Sequence, residues 1–169
     1  METSGYAPWQ YHEKVLNYLE WIFFDLKHMD LKIHTEGTGV SNRLILDNAR
    51  KIASQGEYRL VFRMPIIPGF NDSFENVVAT AEFINSTGKK GINILPMPHP
   101  GSSKYDPLGI EYHYKDLRRP TPERLKEIRD ISADYSIECY KGDNGGGGEA
   151  PLHLGEKANG EAPAGRDLL

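Results

Sequence analysis

Four short runs rich in aliphatic and aromatic residues recur along the chain, and segments with helical periodicity separate them. The runs cover 21–26, 58–67, 91–97 and 136–140. Strands that alternate with helices form parallel βαβ units, in which the carboxyl ends of all strands lie at one edge of the sheet. The pattern therefore predicts an α/β fold. Both a (β/α) barrel and a doubly wound open sheet fit it, and both bind ligands at the strand carboxyl ends.

Apolar periodicity, capping residues and terminal glycines predict the helices between these runs. Helices are predicted over 8–18, 42–54, 74–85 and 121–133. In the first of them, Tyr11, Val15 and Leu19 form an apolar stripe that is expected to face the core. The segment 30–38 is polar and punctuated by glycine, so neither a helix nor a strand is predicted there.

The composition changes after residue 141, where a run of four glycines at 145–148 opens a stretch poor in apolar residues. Such a stretch cannot bury enough surface to offset the entropy of ordering it. The 169 residues therefore divide into one folded domain over 1–141 and an expected disordered, Gly-rich tail over 142–169.

Charge and cysteine content exclude several classes of protein. The chain has 20 Lys+Arg against 24 Asp+Glu, a net charge of -4, which argues against a nucleic-acid partner. No apolar run is long enough to span a membrane and no export signal is seen, so a cytoplasmic protein is expected. Cys139 is the single cysteine and is interpreted as a small core residue. The histidines that lack metal-ligand spacing are interpreted as surface residues: His12, His28, His34, His113 and His153.

Charged side chains interrupt two of the predicted strands. Side chains two apart share a strand face, so Asp25 and Lys27 point the same way at the end of the first run. They could hold a zwitterionic ligand or simply cap the strand as a charge pair. Arg63 lies inside an apolar run, where an unpaired guanidinium is costly. It is expected to meet an anion, either a ligand carboxylate or Asp25, unless its strand is an edge strand that lets it reach solvent.

Two weaker candidates complete the predicted site. Glu2, Thr3 and Asp25 supply oxygen atoms of the kind that hard cations prefer, although terminal residues are commonly just solvated. His99 follows the third run and could stack on or hydrogen-bond to a base, or lie in a solvated loop.

Several segments of the chain resemble the glycyl radical enzyme activating enzymes, of which pyruvate formate-lyase activating enzyme is the best-known member. The resemblance rests on ETSGY at 2–6, FDLKHMD at 24–30, TGVSN at 38–42, RMPIIPGFND at 63–72, and Leu95-Pro96 followed by Gly101, Lys104, Tyr105, Leu108, Gly109 and Tyr112. It extends from Glu2 to about Tyr140, and so covers nearly all of the predicted folded domain.

The resemblance implies the C-terminal half of a partial (β/α)6 barrel of the radical S-adenosylmethionine (SAM) superfamily. Members cleave SAM reductively at a [4Fe–4S] cluster, and the resulting radical takes a hydrogen from a glycine of a partner glycyl radical enzyme. By that resemblance, Asp25, Lys27 and Arg63 contact SAM, and His99 is a further candidate although it is shifted by one residue. Glu2, Thr3 and Asp25 then bind a monovalent cation.

The chain departs from the family in lacking the Cys-x3-Cys-x2-Cys loop that follows the first barrel strand and the Gly-Gly-Glu segment that follows the second. Since the three cluster cysteines are absent, no iron–sulfur ligand is expected in this chain, and it is expected to be inactive alone. On the barrel template the chain starts at the end of the third strand. Alternatively, it is a non-catalytic module that binds the partner enzyme or a separately encoded N-terminal half, or a domain that binds another carboxylated metabolite.

Overall fold

The computed structural model describes residues 1–55, 59–96 and 119–141, which contain five strands and five helices. The strands are β1 Glu2–Thr3, β2 Trp21–Asp25, β3 Arg59–Ile66, β4 Gly91–Pro96 and β5 Glu138–Lys141. The helices are α1 Trp9–Leu16, α2 Leu31–Thr38, α3 Arg43–Ser54, α4 Phe74–Ser86 and α5 Pro122–Asp134. None of the helices within these ranges is long and apolar enough to cross a membrane.

The five strands form one sheet in the order β1-β2-β3-β4-β5, and every neighbouring pair is parallel. A doubly wound sheet reverses its strand order at a switch point, whereas this order follows the chain throughout. The α/β fold is therefore confirmed, and the strand order is that of a barrel segment. The order also places β3 in the middle of the sheet, so the edge-strand explanation for Arg63 is wrong.

Alternation along β2 separates the core from the candidate site. Ile22, Phe24 and Leu26 are at most 1% exposed, whereas Trp21, Phe23 and Asp25 between them are partly exposed on the other face. On the buried face, the ring of Phe24 meets Phe62 of β3 at 6.0 Å, and Phe62 meets Phe83 of α4 at 6.2 Å. The core thus lies between the sheet and its helices, and the opposite face is left for polar side chains.

The predicted apolar stripe is wrong for Tyr11 and Val15 on α1, whereas Leu19, which follows the helix, packs against the core as expected. Tyr11 is 55% exposed and Val15 39% exposed, whereas His12 and Leu16 are buried. Trp9, His12 and Leu16 are spaced by three and four residues and form the inward face. The buried stripe contains a histidine, whereas the exposed set contains Tyr11 and Val15, so apolar periodicity alone selects the wrong face.

Helix α2 lies in the segment for which no helix is predicted. Aspartate and glycine flank it, and both residue types are common in loops. Asp30 is the N-cap, and its side chain accepts a hydrogen bond from Ile33 N at 2.9 Å. Gly39 is the C-cap, with φ of 78°, a left-handed conformation that glycine adopts without steric cost. The same residues therefore begin and end a short helix over Leu31–Thr38.

Three of the histidines expected at the surface are buried, which corrects the prediction. His12 and His28 are 5% exposed and His34 is 2% exposed. His34 Nδ1 donates to Val40 O at 2.8 Å, and His28 Nδ1 accepts from Asp30 N at 3.0 Å, so both rings fix local backbone. Burial lowers the pKa of His28 and thereby favours its neutral form. His113 and His153 lie outside the described residues.

Cys139 packs against the core from β5 and has no disulfide partner. Burial raises the pKa of its thiol, which favours the uncharged form over the nucleophilic thiolate. The interpretation of Cys139 as a small core residue therefore agrees with its position.

Candidate functional site

Arg63 lies at the centre of the candidate site, on the sheet face opposite the core. Asp25 of β2 is its register partner on the neighbouring strand, and Arg63 Nε donates to Asp25 Oδ1 at 2.9 Å. Both side chains are mostly covered, at 14% exposed for Arg63 and 23% for Asp25. The expectation that Arg63 would meet an anion is confirmed, and Asp25 is one such anion.

Glu2 supplies a second carboxylate from β1. Arg63 donates from one terminal nitrogen to Glu2 Oε1 at 2.9 Å and from the other to Glu2 Oε2 at 3.2 Å. This two-pronged geometry matches the planar fork of a guanidinium to the two oxygens of a carboxylate. Glu2 itself is 69% exposed, so it is the more accessible of the two partners of Arg63.

These contacts shift the ionisation of the groups that form them. The hydrogen bond and the positive charge of Arg63 hold the pKa of Glu2 below its usual value of 4.5. Burial alone lowers the pKa of Arg63, but the bonds and charges of Glu2 and Asp25 outweigh it and raise that pKa. The site therefore contains a permanent cation between two carboxylates.

The ring of Phe23 fixes the guanidinium from a further side. The Arg63 guanidinium carbon lies 5.4 Å from the Phe23 ring centroid, within the range of a cation–π contact. Phe23 also stacks on Trp21, with ring centroids 6.1 Å apart and planes 9° from parallel. The two aromatic rings on the face of β2 opposite the core thus support the charged group.

Lys27 follows β2 by two residues and continues its alternation, with buried Leu26 and His28 on either side. The predicted common face for Asp25 and Lys27 agrees with this pattern. The Lys27 ammonium forms no ion pair with any residue in the described ranges. Asp25 pairs with Arg63 instead, so Asp25 and Lys27 do not form the charge pair that was one of the two interpretations of these residues.

Thr3, the other predicted residue that the structure describes, is not brought into this arrangement. Thr3 is the register partner of Phe24, which points to the core, and its hydroxyl accepts a hydrogen bond from Gly5 N at 2.9 Å. Glu2 is the register partner of Phe23 and shares the face of Asp25. Among the described residues, no three His, Cys, Asp or Glu side chains cluster in a way that could hold a metal ion. His99 lies outside the described residues.

A network of buried asparagines lies beneath the site, and the sequence patterns did not reveal it. Asn71 is 0% exposed, and its Nδ2 donates to Lys27 O at 3.0 Å and to Pro65 O at 2.7 Å. Asn76 Nδ2 donates to Asn71 O at 2.8 Å, while Asn76 Oδ1 accepts from Met29 N at 2.9 Å. The segments that follow β2 and β3 are therefore tied together at the carboxyl edge.

Asn42 completes this network from the start of α3. Its Nδ2 donates to His28 O at 3.1 Å and to Met29 O at 2.7 Å, and the residue is 3% exposed. An asparagine near a predicted helix start suggests a solvent-exposed cap, but the side chain of Asn42 does not cap α3. The cap of α4 is Ser73, whose side chain accepts a hydrogen bond from Asn76 N. The available sequence signal was asparagine near the starts of α3 and α4, where buried amides can bond to carbonyls that have left the sheet.

Curated relatives match most of this chain. It is 41% identical over 145 residues to 4-hydroxyphenylacetate decarboxylase activating enzyme of Clostridium scatologenes, covering 85% of the chain and 46% of the relative. It is 34% identical over 148 residues to (2S)-3-sulfopropanediol dehydratase activating enzyme of Klebsiella oxytoca, covering 84% of the chain and 46% of the relative. The chain therefore spans slightly less than half the length of these relatives.

A solved structure shares the fold. A crystallised domain of pyruvate-formate lyase-activating enzyme from Bacteroides vulgatus is 28% identical, with a TM-score of 0.66, and the match covers 84% of this chain and 79% of that domain. A scan against protein-family models gives no match. The curated relatives, the shared fold and the segments at the site agree, and the chain is a homologue of the glycyl radical enzyme activating enzymes of the radical SAM superfamily.

Proposed function

We propose that this chain is the SAM-binding part of a glycyl radical enzyme activating enzyme, whose partner is a glycyl radical enzyme. The observation that carries the proposal is the ion-paired Asp25–Arg63 site at the strand carboxyl edge, with Lys27 on the same face. Relatives named as activating enzymes for a decarboxylase and a dehydratase support the kind of partner.

The proposed ligand end is zwitterionic, and the site offers both signs of charge. A carboxylate suits Arg63 and Lys27, and an ammonium suits Asp25. Glu2 already occupies the outer edge of Arg63 with a carboxylate, and it is 69% exposed. A ligand carboxylate can therefore replace Glu2 at Arg63 with little loss of buried contact, while Asp25 keeps the guanidinium in place.

A monovalent cation held by Glu2, Thr3 and Asp25 is a further part of the proposal. Glu2 and Asp25 share one face and meet the same guanidinium, so their oxygens can approach one ion. Thr3 lies on the opposite face of β1, so the chain at Thr3 has to turn for its hydroxyl to join them. A contact between His99 and the base of SAM also belongs to the proposal.

The residues of this chain do not fit the [4Fe–4S] cluster of the family. A SAM-binding cluster needs three thiolates, and the whole sequence contains one cysteine, Cys139, whose thiol packs against the core. Under the proposal, the cluster ligands come from polypeptide outside this sequence. The alternative proposal follows from the same fact: the chain acts as a non-catalytic module that binds the partner enzyme or a separate N-terminal half.

Isothermal titration of the purified 169-residue chain with SAM tests the proposal. We expect saturable binding that Arg63→Gln abolishes. Arg50→Gln is the matched control, because Arg50 is an exposed arginine paired with Asp47 on α3. Citrate, titrated in place of SAM, tests the further interpretation that the site binds another carboxylated metabolite. Binding of citrate but not SAM, or SAM binding that persists in Arg63→Gln, contradicts the proposal.

A further inference from the structure

The hydrogen-bond ladder between β2 and β3 ends just short of Lys27. Its last backbone bond runs from Leu26 N to Arg63 O at 2.8 Å. The carbonyls of Lys27 and Pro65 lie one step further along their strands. Unpaired carbonyls at the end of a ladder leave the chain free to diverge, so the direction of Lys27 relative to Arg63 has to be fixed by something else.

The side-chain amide of Asn71 fills this position. Its Nδ2 bridges the two carbonyls, at 3.0 Å from Lys27 O and 2.7 Å from Pro65 O. Its Oδ1 accepts from Ile67 N at 2.8 Å, so both ends of the amide are used. The residue is 0% exposed, so bulk water does not reach its side chain.

The backbone of Asn71 is itself anchored. Asn71 N donates to Ile67 O at 3.2 Å, and Asn71 O accepts from Asn76 Nδ2 at 2.8 Å. Only a side chain with two N–H groups and an acceptor at this length can make all three side-chain bonds. Serine offers one hydroxyl hydrogen and alanine none, so neither can bridge the two carbonyls.

We infer that Asn71 is a positioning residue for Lys27, holding that ammonium on the Arg63 side of the site so that both cations reach one ligand carboxylate. The inference rests on the proposed function, since it assigns Asn71 a part in SAM binding. Asn71 does not touch the ligand in this arrangement. It acts by extending the β2–β3 pairing by one step.

SAM titration of Asn71→Ala and the milder Asn71→Ser tests the inference. We expect SAM to bind about tenfold more weakly to Asn71→Ala, as loss of one or two positioning bonds implies. Asn85→Ala is the matched control, because Asn85 Nδ2 also donates to a distant carbonyl, Tyr135 O at 2.6 Å, at the opposite end of α4. Its SAM affinity should stay within about twofold of the unmodified chain, by the same scale.

A double-mutant cycle distinguishes positioning from general loosening. Lys27→Met removes the ammonium and keeps most of the side-chain length. If Asn71 acts through Lys27, adding Asn71→Ala to Lys27→Met changes SAM affinity by less than about twofold. An equal loss in both backgrounds, or no loss in Asn71→Ala and Asn71→Ser, overturns the inference and leaves the proposed function intact.

Amide hydrogen exchange supplies a measurement that does not depend on SAM. The Ile67 amide loses its acceptor in Asn71→Ala, so its exchange should accelerate at least about tenfold relative to Asn85→Ala. Unchanged protection of Ile67 contradicts the inference whether or not SAM binds. If SAM does not bind the unmodified chain while Ile67 behaves as expected, the proposed function fails, and with it the assignment of Lys27 to SAM.

Discussion

Asp25 and Arg63 are register partners on adjacent parallel strands, and Arg63 Nε donates to Asp25 Oδ1 at 2.9 Å. Parallel pairing brings equal steps of β2 and β3 side by side, so an acid and a base at those positions meet without a turn or a loop. The ion pair therefore belongs to the sheet and is formed before any ligand arrives. A ligand at this edge meets a preorganised cation.

Asp25→Asn is expected to destabilise the folded chain by about 1–3 kcal/mol, because Arg63 keeps its charge in a mostly covered position with one partner fewer. Urea unfolding monitored by circular dichroism measures the change. Asp47→Asn is the control, since Asp47 and Arg50 are more than half exposed, and it should change stability by less than about 0.5 kcal/mol. Equal costs for the two variants would show that the Asp25–Arg63 pair behaves as an ordinary surface pair.

Stability should fall in acid partly through Glu2. Arg63 lowers the pKa of Glu2 in the folded chain below its usual 4.5, so the unfolded chain binds the proton more readily. The stabilising contribution is present above the unfolded pKa and is lost as pH falls through the folded pKa. Urea unfolding at about pH 7, 5 and 3, a range that brackets the usual carboxyl pKa, should show a gap between the unmodified chain and Glu2→Gln that narrows as the pH falls. A gap independent of pH would contradict this assignment.

Strand alternation in the sequence is sufficient to assign Asp25 and Arg63 to the faces of their strands, because side-chain direction in a strand has a fixed period of two. The sequence also predicts that Arg63 finds an anion, since burying an unpaired guanidinium is unfavourable. It does not show that Glu2 is the second anion, because β1 has only two residues, and the pairing of so short a strand leaves no periodicity to detect.

Buried polar residues explain the remaining errors. Residue type alone assigns His12, His28 and His34 to the surface, yet each is at most 5% exposed. The burial of Asn71 depends on a carbonyl brought to it from a distant segment, since it meets Lys27 O 44 residues away, whereas His28 and His34 are covered by the packing of the fold while they bond to nearby backbone. Local patterns carry no information about such a partner, so tertiary contacts decide the outcome.

Anaerobic reconstitution with iron and sulfide should leave the purified chain without a stable four-iron cluster. The sequence has one cysteine, whereas three thiolates are needed to hold such a cluster with a site left for SAM. Iron and acid-labile sulfide are measured after desalting, together with the visible absorption of iron–sulfur charge transfer. Cys139→Ser should give the same low iron content, while cluster iron that survives desalting would contradict the proposal that the ligands come from elsewhere.

Gly5→Ala should destabilise the chain far more than Gly39→Ala, although both glycines have similar left-handed φ values of 73° and 78°. A Cβ on Gly5 would overlap the ring of Phe24, whereas a Cβ on Gly39 meets nothing within 4 Å. The backbone cost, about 1 kcal/mol, is common to both variants, and the displacement of a fully buried ring adds about 1–3 kcal/mol only in Gly5→Ala. The difference between the urea midpoints of the two variants measures the cost of displacing the Phe24 ring. Equal midpoints would mean that the loop after β1 shifts without disturbing Phe24, and so is not fixed against the core.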